Sequence, residues 1–239
     1  MSNLFVYAHR GASAEAPENT LAAFRRALDA GADGIEMDVH LASDGVPVVI
    51  HDDTLERTTD GTGAVAAHRA AQLQTLDAGS WFGPHFAGEP LPTLEEALRL
   101  LAGRLRINLE VKTAWAGLAV LELLPSFPAA EVVVSSFDHA LLADLRRSAP
   151  DLPLAVLHET GSWRRALAGA AALRAGAFHP QVDLVSRPLL AACRRMQLPV
   201  FVWTVDDAGR ARTLARAGVA GVFSNDPAGL RRHFPAAAV

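Results

Sequence analysis

The chain has one cysteine, no large excess of either charge and no uninterrupted apolar run long enough to cross a bilayer. Each shortage removes a class of protein. Cys193 alone cannot form an internal disulfide, which excludes a scaffold held together by such bridges. Set among Leu189, Leu190, Ala191 and Ala192, it reads as a small buried hydrophobe on a helix, compatible with a reducing compartment. The 26 acidic and 22 basic residues leave a net charge of −4, which argues against nucleic acid or an anionic membrane as partner. The most apolar window, residues 118–134, is broken by Glu122, Pro125, Pro128 and Glu131, so no membrane span is expected. A basic n-region is lacking too: Met1-Ser2-Asn3-Leu4-Phe5-Val6-Tyr7 reaches a charged motif within ten residues, which argues against a secretory signal and makes the cytoplasm the expected location. Gly61 and Gly63 follow no strand and open no helix, so nucleotide binding is not supported.

What the chain does have is regular alternation. With 239 residues, half of them hydrophobic, it suits one large α/β domain over residues 1–239. Short apolar runs alternate with longer helical patterns, and strands are expected near residues 4–8, 34–40, 106–112, 132–135, 154–157, 177–179, 200–204 and 221–224. Eight such units predict a closed (β/α)8 barrel, whose functional face is the C-terminal end of the strands. The first helix is read as starting at Pro17, with Leu21, Phe24 and Leu28 on one face and Gly31 as a left-handed cap.

Parity within the strands separates chemistry from core. Glu36, Asp38 and His40 point opposite to Ile35, Met37 and Val39; Asn108, Glu110 and Lys112 point opposite to Ile107, Leu109 and Val111. After His40 the pair Asp44-Gly45 predicts a two-residue hairpin loop that would set Asp38 opposite His51. Residues 53–103 form a long excursion before the next barrel strand, with aromatic Trp81, Phe82 and Phe86 and a helical signal at Thr93-Leu94-Glu95-Glu96; a cap over the active face is the expectation.

Three carboxylates, Glu36, Asp38 and Glu110, raise one another's pKa unless a cation lies among them, and all-oxygen ligation favours Mg²⁺, Ca²⁺ or Mn²⁺ over zinc. The alternative is a polar barrel core in which they pair with Arg10 and Lys112. His9 and His51 form a natural general acid/base pair. Arg10 and Lys112 suit a phosphate, Arg as a fork and Lys as a point charge. Trp203 either walls the pocket or packs in the core. His68, His85, His139 and His158 read as ordinary surface or loop residues, while His40 and His179 stay undecided. Together these residues are the inventory of a metal-assisted phosphoester site.

The chain resembles the glycerophosphodiester phosphodiesterase family. The matching pieces are His9-Arg10-Gly11, Pro17-Glu18-Asn19-Thr20, Glu36-Met37-Asp38-Val39, Asp44-Gly45-Val46-Pro47-Val48, His51-Asp52, Thr54-Leu55-Glu56-Arg57-Thr58-Thr59, Pro92-Thr93-Leu94-Glu95-Glu96, Glu110-Val111-Lys112, Trp203-Thr204-Val205 and Asn225-Asp226-Pro227, in this order almost from end to end. The resemblance implies a single TIM barrel with a family-specific insertion after the second strand. It implies one divalent cation, Mg²⁺ or Ca²⁺ with Mn²⁺ also compatible, on Glu36, Asp38 and Glu110, and His9 with His51 as the catalytic pair. The implied reaction is hydrolysis of a small-molecule glycerophosphodiester to sn-glycerol 3-phosphate and an alcohol, inferred to pass through a cyclic phosphate with the histidines exchanging roles. Departures are Asp206, where the family often has Asn, and Ser224, where it often has Thr.

Competing readings are a lysophospholipase D-like enzyme taking a lipid tail through Trp81, Phe82 and Phe86, a Schiff-base aldolase built on Lys112, and a barrel that binds phosphodiesters without cleaving them. Which histidine starts as base, the head group, the metal and the oligomeric state are not fixed by the sequence.

Overall fold

A computed structural model describes residues 4–235; Met1, Ser2 and Asn3 of the N-terminal stretch read above lie outside the described residues. Eight parallel strands form the wall: β1 (Phe5–His9), β2 (Gly34–Leu41), β4 (Arg106–Val111), β5 (Val132–Ser136), β6 (Leu154–His158), β7 (Ala177–Pro180), β8 (Phe201–Val202) and β9 (Gly221–Ser224). A ninth, β3 (Pro47–Val49), pairs antiparallel with β2 outside the ring. Neighbours run β7-β6-β5-β4-β2-β1-β9-β8, and the parallel bridges Phe178↔Val200 and Gln181↔Trp203 join β7 to the β8 segment. All eight strand expectations hold to within two residues. The reason is burial on both faces: helices cover the outside, so the strands read as apolar runs that sequence pattern detects easily.

The helices are α1 (Leu21–Asp29), α2 (Ala70–Leu73), α3 (Leu94–Leu101), α4 (Ala114–Leu123), α5 (His139–Ser148), α6 (Trp163–Ala172), α7 (Arg187–Arg195), α8 (Ala208–Arg216) and α9 (Pro227–Arg231). α1 begins later than expected. Its N-cap is Thr20, whose hydroxyl accepts from Ala23 N, so Pro17 lies in the loop before it; Gly31 does take a left-handed φ of +67°. α3 starts with a reciprocal capping box, Thr93 Oγ1 accepting from Glu96 N at 3.3 Å and Glu96 Oε2 from Thr93 N at 2.9 Å. Its Leu94, Ala97, Leu98 and Leu101 lie in the main core, so α3 packs as a barrel helix. The stretch before it has a small core of its own, made by Ile50, Leu55, Val65, Leu73 and Leu91 with neighbouring alanines and Val48. Cys193 is buried on α7, and burial pushes its thiol up to about 11.

The hairpin differs by one residue from the expected register. Leu41 pairs with Pro47, His40 with Val48 and Val39 with Val49, because the loop takes three residues, closed by Ala42 N to Val46 O at 3.0 Å with Gly45 at φ +81°. Asp38 therefore faces Ile50, whose N–H donates to Asp38 O at 3.1 Å, and not His51. β3 ends at Val49, and the bend that follows still delivers His51 to the barrel mouth.

Below the mouth, the barrel is filled by rings. Tyr7 stacks on Phe223 with centroids 4.8 Å apart and meets Phe201 edge-on at 5.6 Å, while His179 abuts Phe223 at 5.0 Å. The strands flanking these rings begin with glycine for lack of space: a Cβ on Gly34 would stand 2.4 Å from the Tyr7 ring, and one on Gly221 would stand 2.6 Å from that of Phe201. His179 is thus a packing residue, and its pKa is pushed down to about 3 by burial. His158, expected on a loop or surface, is instead buried at the end of β6 beside Phe178. Among the described residues, no helix is long and apolar enough to cross a membrane.

Candidate active site

Strand register brings the acids together. His9 pairs with Glu36, Glu36 with Asn108, and Asp38 with Glu110, so the C-terminal ends of β1, β2 and β4 place their polar side chains in one layer. Glu36, Asp38 and Glu110 are all nearly or fully buried, and one oxygen of each lies within 4.8 Å of the others.

The surrounding groups hold these carboxylates from several sides. Arg10 N donates to Glu36 Oε2 at 2.9 Å, which requires a left-handed φ of +57° at Arg10. Asn19, also left-handed at +58°, donates from Nδ2 to Asp38 Oδ2 at 2.8 Å. Two sparsely populated backbone conformations in one site mark a geometry imposed by its surroundings. The Arg10 guanidinium reaches Asp38 at 3.3 Å and Glu18 at 2.8 Å. Lys112, the only lysine in the chain, places its ammonium 2.7 Å from Asp38 and against Glu110. Expected on phosphate, it is here engaged with the acids, and Arg10 is the cation that lines the cavity.

Electrostatics separates the three acids. Burial opposes ionisation of Asp38, yet Lys112 and Arg10 hold its carboxyl well below the usual range. Burial, then the charge of Asp38, pushes Glu110 up to about 7, and burial with Asp38 and Glu110 pushes Glu36 well up. An all-oxygen trio that two side-chain cations leave partly uncompensated fits a hard divalent ion, with Glu36, Asp38 and Glu110 as the residues that would hold it.

The two histidines are backed differently. His9 Nδ1 lies 2.8 Å from Asn225 Oδ1, and its Nε2 is 3.9 Å from Glu36 Oε2; burial and the neighbouring Arg10 push its pKa down to about 4. His51 Nδ1 lies 2.6 Å from Asp52 Oδ1, and its carbonyl is 3.1 Å from His40 Nε2. Two hydrogen bonds from Arg57, at 2.6 and 2.9 Å, outweigh burial and, with His51, hold Asp52 well below the carboxylate range. Arg57 also grips Glu18 at 2.9 and 3.0 Å, so ion pairs link Asp52, Arg57, Glu18 and Arg10 in a chain that ends on the hydrogen bond between Asp52 and His51.

One cavity of about 190 Å³ is lined by His9, Arg10, Glu36, His51 and Glu110 on its chemical side, with Asn108 beneath. Its other wall is formed by Phe137, Leu157, Glu159, Trp203, Thr204 and Phe223. Trp203 meets Phe137 edge-on at 5.6 Å and donates from Nε1 to His179 O at 2.9 Å, so it both walls the cavity and ties into the barrel. Trp81, Phe82 and Phe86 do not line it; they stack edge-on upon each other at 5.7 and 5.6 Å, and Phe86 packs against the main core.

Sequence reasoning misses several residues of this network. Glu18, Asn19, Asp52, Arg57 and Asn225 sit inside the motifs quoted above, but nothing in their spacing tells that they contact Arg10, Asp38 and the histidines. Phe137 and Glu159 carry no sequence signal at all.

With Glu36, Glu110, both imidazoles and the Arg10 guanidinium turned into a single cavity at the mouth of a (β/α)8 barrel, the side-chain set is that of a phosphodiesterase. The family follows from comparison: residues 9–229 match the model of the glycerophosphoryl diester phosphodiesterase family, and the chain belongs to it. A glycerophosphodiester phosphodiesterase of Caldanaerobacter subterraneus subsp. tengcongensis is 38% identical over 232 residues, covering 93% of this chain and 94% of that protein. Among solved structures, an Oleispira antarctica phosphodiesterase in complex with the product sn-glycerol-3-phosphate superposes with a TM-score of 0.90 at 30% identity, covering 96% of each chain. The glycerophosphodiester phosphodiesterase of Thermotoga maritima gives a TM-score of 0.84 at 27% identity, covering 98% of this chain and 99% of that one.

Proposed function

We propose that the protein hydrolyses glycerophosphodiesters to sn-glycerol 3-phosphate and a free alcohol, with His9 and His51 as proton carriers. The observation that carries this reading is that both imidazoles, Arg10, Glu36 and Glu110 line one cavity. A barrel that only bound phosphodiesters would need no pair of proton carriers there. The small volume suits a deacylated substrate, being below the roughly 300–1,000 Å³ common for drug-sized ligands. The aromatic trio invoked for a lipid tail stands away from it, which removes the feature on which the acylated alternative rested. Lys112 is paired with two carboxylates, an arrangement that keeps its amine protonated and disfavours an aldolase.

A Mg²⁺, Ca²⁺ or Mn²⁺ ion on Glu36, Asp38 and Glu110 would supply Lewis-acid polarisation of a phosphate oxygen. Arg10, fixed by Glu18 and Asp38, orients the phosphate and offsets charge that builds on it. His9, buried and neutral with an amide behind Nδ1, is suited to accept the proton of the attacking glycerol hydroxyl at Nε2. His51, with the Asp52 carboxylate behind it, is suited to carry a proton and deliver it to the leaving alcohol. Water then opens the cyclic phosphate with these roles exchanged. Phe137 and Trp203 form the wall against which the leaving alcohol lies, and the cap expected of residues 53–103 is supported by Arg57, which holds Asp52 and Glu18 beside the mouth, and not by any cavity-lining residue. Incubation with a panel of acylated and deacylated glycerophosphodiesters, with and without EDTA, tests this reading. Chelator-sensitive release of glycerol 3-phosphate from the deacylated members is expected, and turnover confined to acylated ones would overturn it.

A further inference from the structure

We propose that Asp206 is a positioning residue for His9: its carboxylate decides which way round the Asn225 amide sits, and thereby which ring nitrogen of His9 carries the proton. The proposal rests on the reading of His9 as a proton carrier.

The three residues follow or end neighbouring strands. Asp206 lies after β8, Asn225 follows β9, and His9 ends β1. Asp206 Oδ1 accepts from Asn225 N at 2.7 Å and from Ser224 Oγ at 2.9 Å, and Asp206 Oδ2 accepts from Asn225 Nδ2 at 3.0 Å. Asn225 Oδ1, on the other side of the same amide, lies 2.8 Å from His9 Nδ1 and 3.0 Å from Ser13 Oγ.

An amide can rotate by half a turn and exchange its oxygen for its nitrogen, so each neighbour must be asked whether it prefers one orientation. His9 does not, since a neutral imidazole either donates or accepts at Nδ1. Ser13 does not either. Its hydroxyl can donate to Asn225 Oδ1, or it can donate to His9 O, 2.8 Å away, and accept from the amide. Asp206 alone breaks the tie, because an ionised carboxylate only accepts. It therefore takes Asn225 Nδ2 and leaves Oδ1 for His9, whose Nδ1 must then carry the hydrogen. The lone pair of His9 is placed on Nε2, the nitrogen nearer Glu36 and on the cavity side. Without Asp206 the reversed amide is equally satisfied, and a fraction of molecules would hold a hydrogen on Nε2, where a proton acceptor is needed. An Asn at this position could donate as well as accept, so it would not break the tie in the same way.

The test is ¹⁵N spectroscopy of histidine-labelled protein near pH 8, with His9 signals assigned by their loss in His9→Gln, alongside kcat and KM on a glycerophosphodiester. Wild type should show the Nδ1–H form alone. Asp206→Ala, a change at an exposed position, should show both tautomers, with kcat lowered by roughly tenfold or more and KM moved less. The exchanged pair Asp206→Asn with Asn225→Asp puts an obligate acceptor against His9 and a donor behind it, and should restore the Nδ1–H form and most of kcat. Retention of the Nδ1–H form alone in Asp206→Ala would overturn the proposal, as would an exchanged pair that shows the same mixture as Asp206→Ala. The spectra decide this even if no glycerophosphodiester is turned over, in which case the reaction assignment fails separately.

Discussion

Asp52 Oδ1 lies 2.6 Å from His51 Nδ1, whereas the corresponding nitrogen of His9 faces the neutral amide of Asn225. Replacing either imidazole by alanine is expected to lower kcat by about 10²–10⁴-fold with the fold intact by circular dichroism. Near-normal kcat in both variants would remove them from the mechanism. Asp52→Asn should lower kcat by about 10–100-fold, because it loosens the hydrogen bond that fixes the His51 ring through Nδ1; an unchanged kcat would show that the carboxylate has no such part.

The carboxylate trio is expected to govern metal affinity. Glu110→Ala should weaken Mg²⁺ or Ca²⁺ binding by on the order of tenfold or more in isothermal titration, since affinity follows the charge and number of oxygen ligands. A titration curve identical to wild type would contradict the assignment of Glu110.

His179 makes stability depend on pH. In the folded barrel its pKa is pushed down to about 3 by burial, and its buried Nδ1 has no hydrogen-bond partner among the described residues. The unfolded chain therefore binds a proton between about pH 6.5 and 3 that the folded state does not, so stability is lost as pH falls through that window, by up to about 1.4 kcal/mol per pH unit from this group. His179→Phe should flatten the difference between urea unfolding at pH 7 and pH 5. If the two proteins lose stability in parallel on acidification, His179 is not the source.

Gly34 is expected to tolerate no side chain. A Cβ there would fall 2.4 Å from the Tyr7 ring and 2.8 Å from Arg106 O, so Gly34→Ala should cost about 1–3 kcal/mol in equilibrium unfolding. A midpoint equal to wild type would mean that the aromatic layer repacks freely.

How legible the molecule was in its sequence depended on the range of the interaction concerned. Strands buried on both faces announce themselves as apolar runs, and parity alone put Glu36, Asp38 and Glu110 on the inner side. The hairpin register was missed because a two-residue and a three-residue loop through Asp44-Gly45 differ by a single unit, with only the ladder to choose between them. Pro17 looked like a helix start because Thr20, a better cap, stood only three residues on. His158 looked exposed because its burial comes from packing at the end of β6, beside Phe178. The ion-pair chain through Arg57 and Glu18 joins residues 39 apart in sequence, and no local pattern encodes such a contact. The same holds for Asn225 behind His9, 216 residues away.

The barrel is unevenly stitched. Pairing between β2 and β4 is unbroken from Gly34 to Val39, under the acids, while the β8 segment is joined by two residue pairs on each side, Phe201 and Val202 to β9 and the bridges at Phe178 and Gln181 to β7. The layer that holds Glu36, Asn108, Asp38 and Glu110 thus rides on the longest continuous ladder in the ring, so a change that slips β2 against β4 by one residue would scatter all four at once.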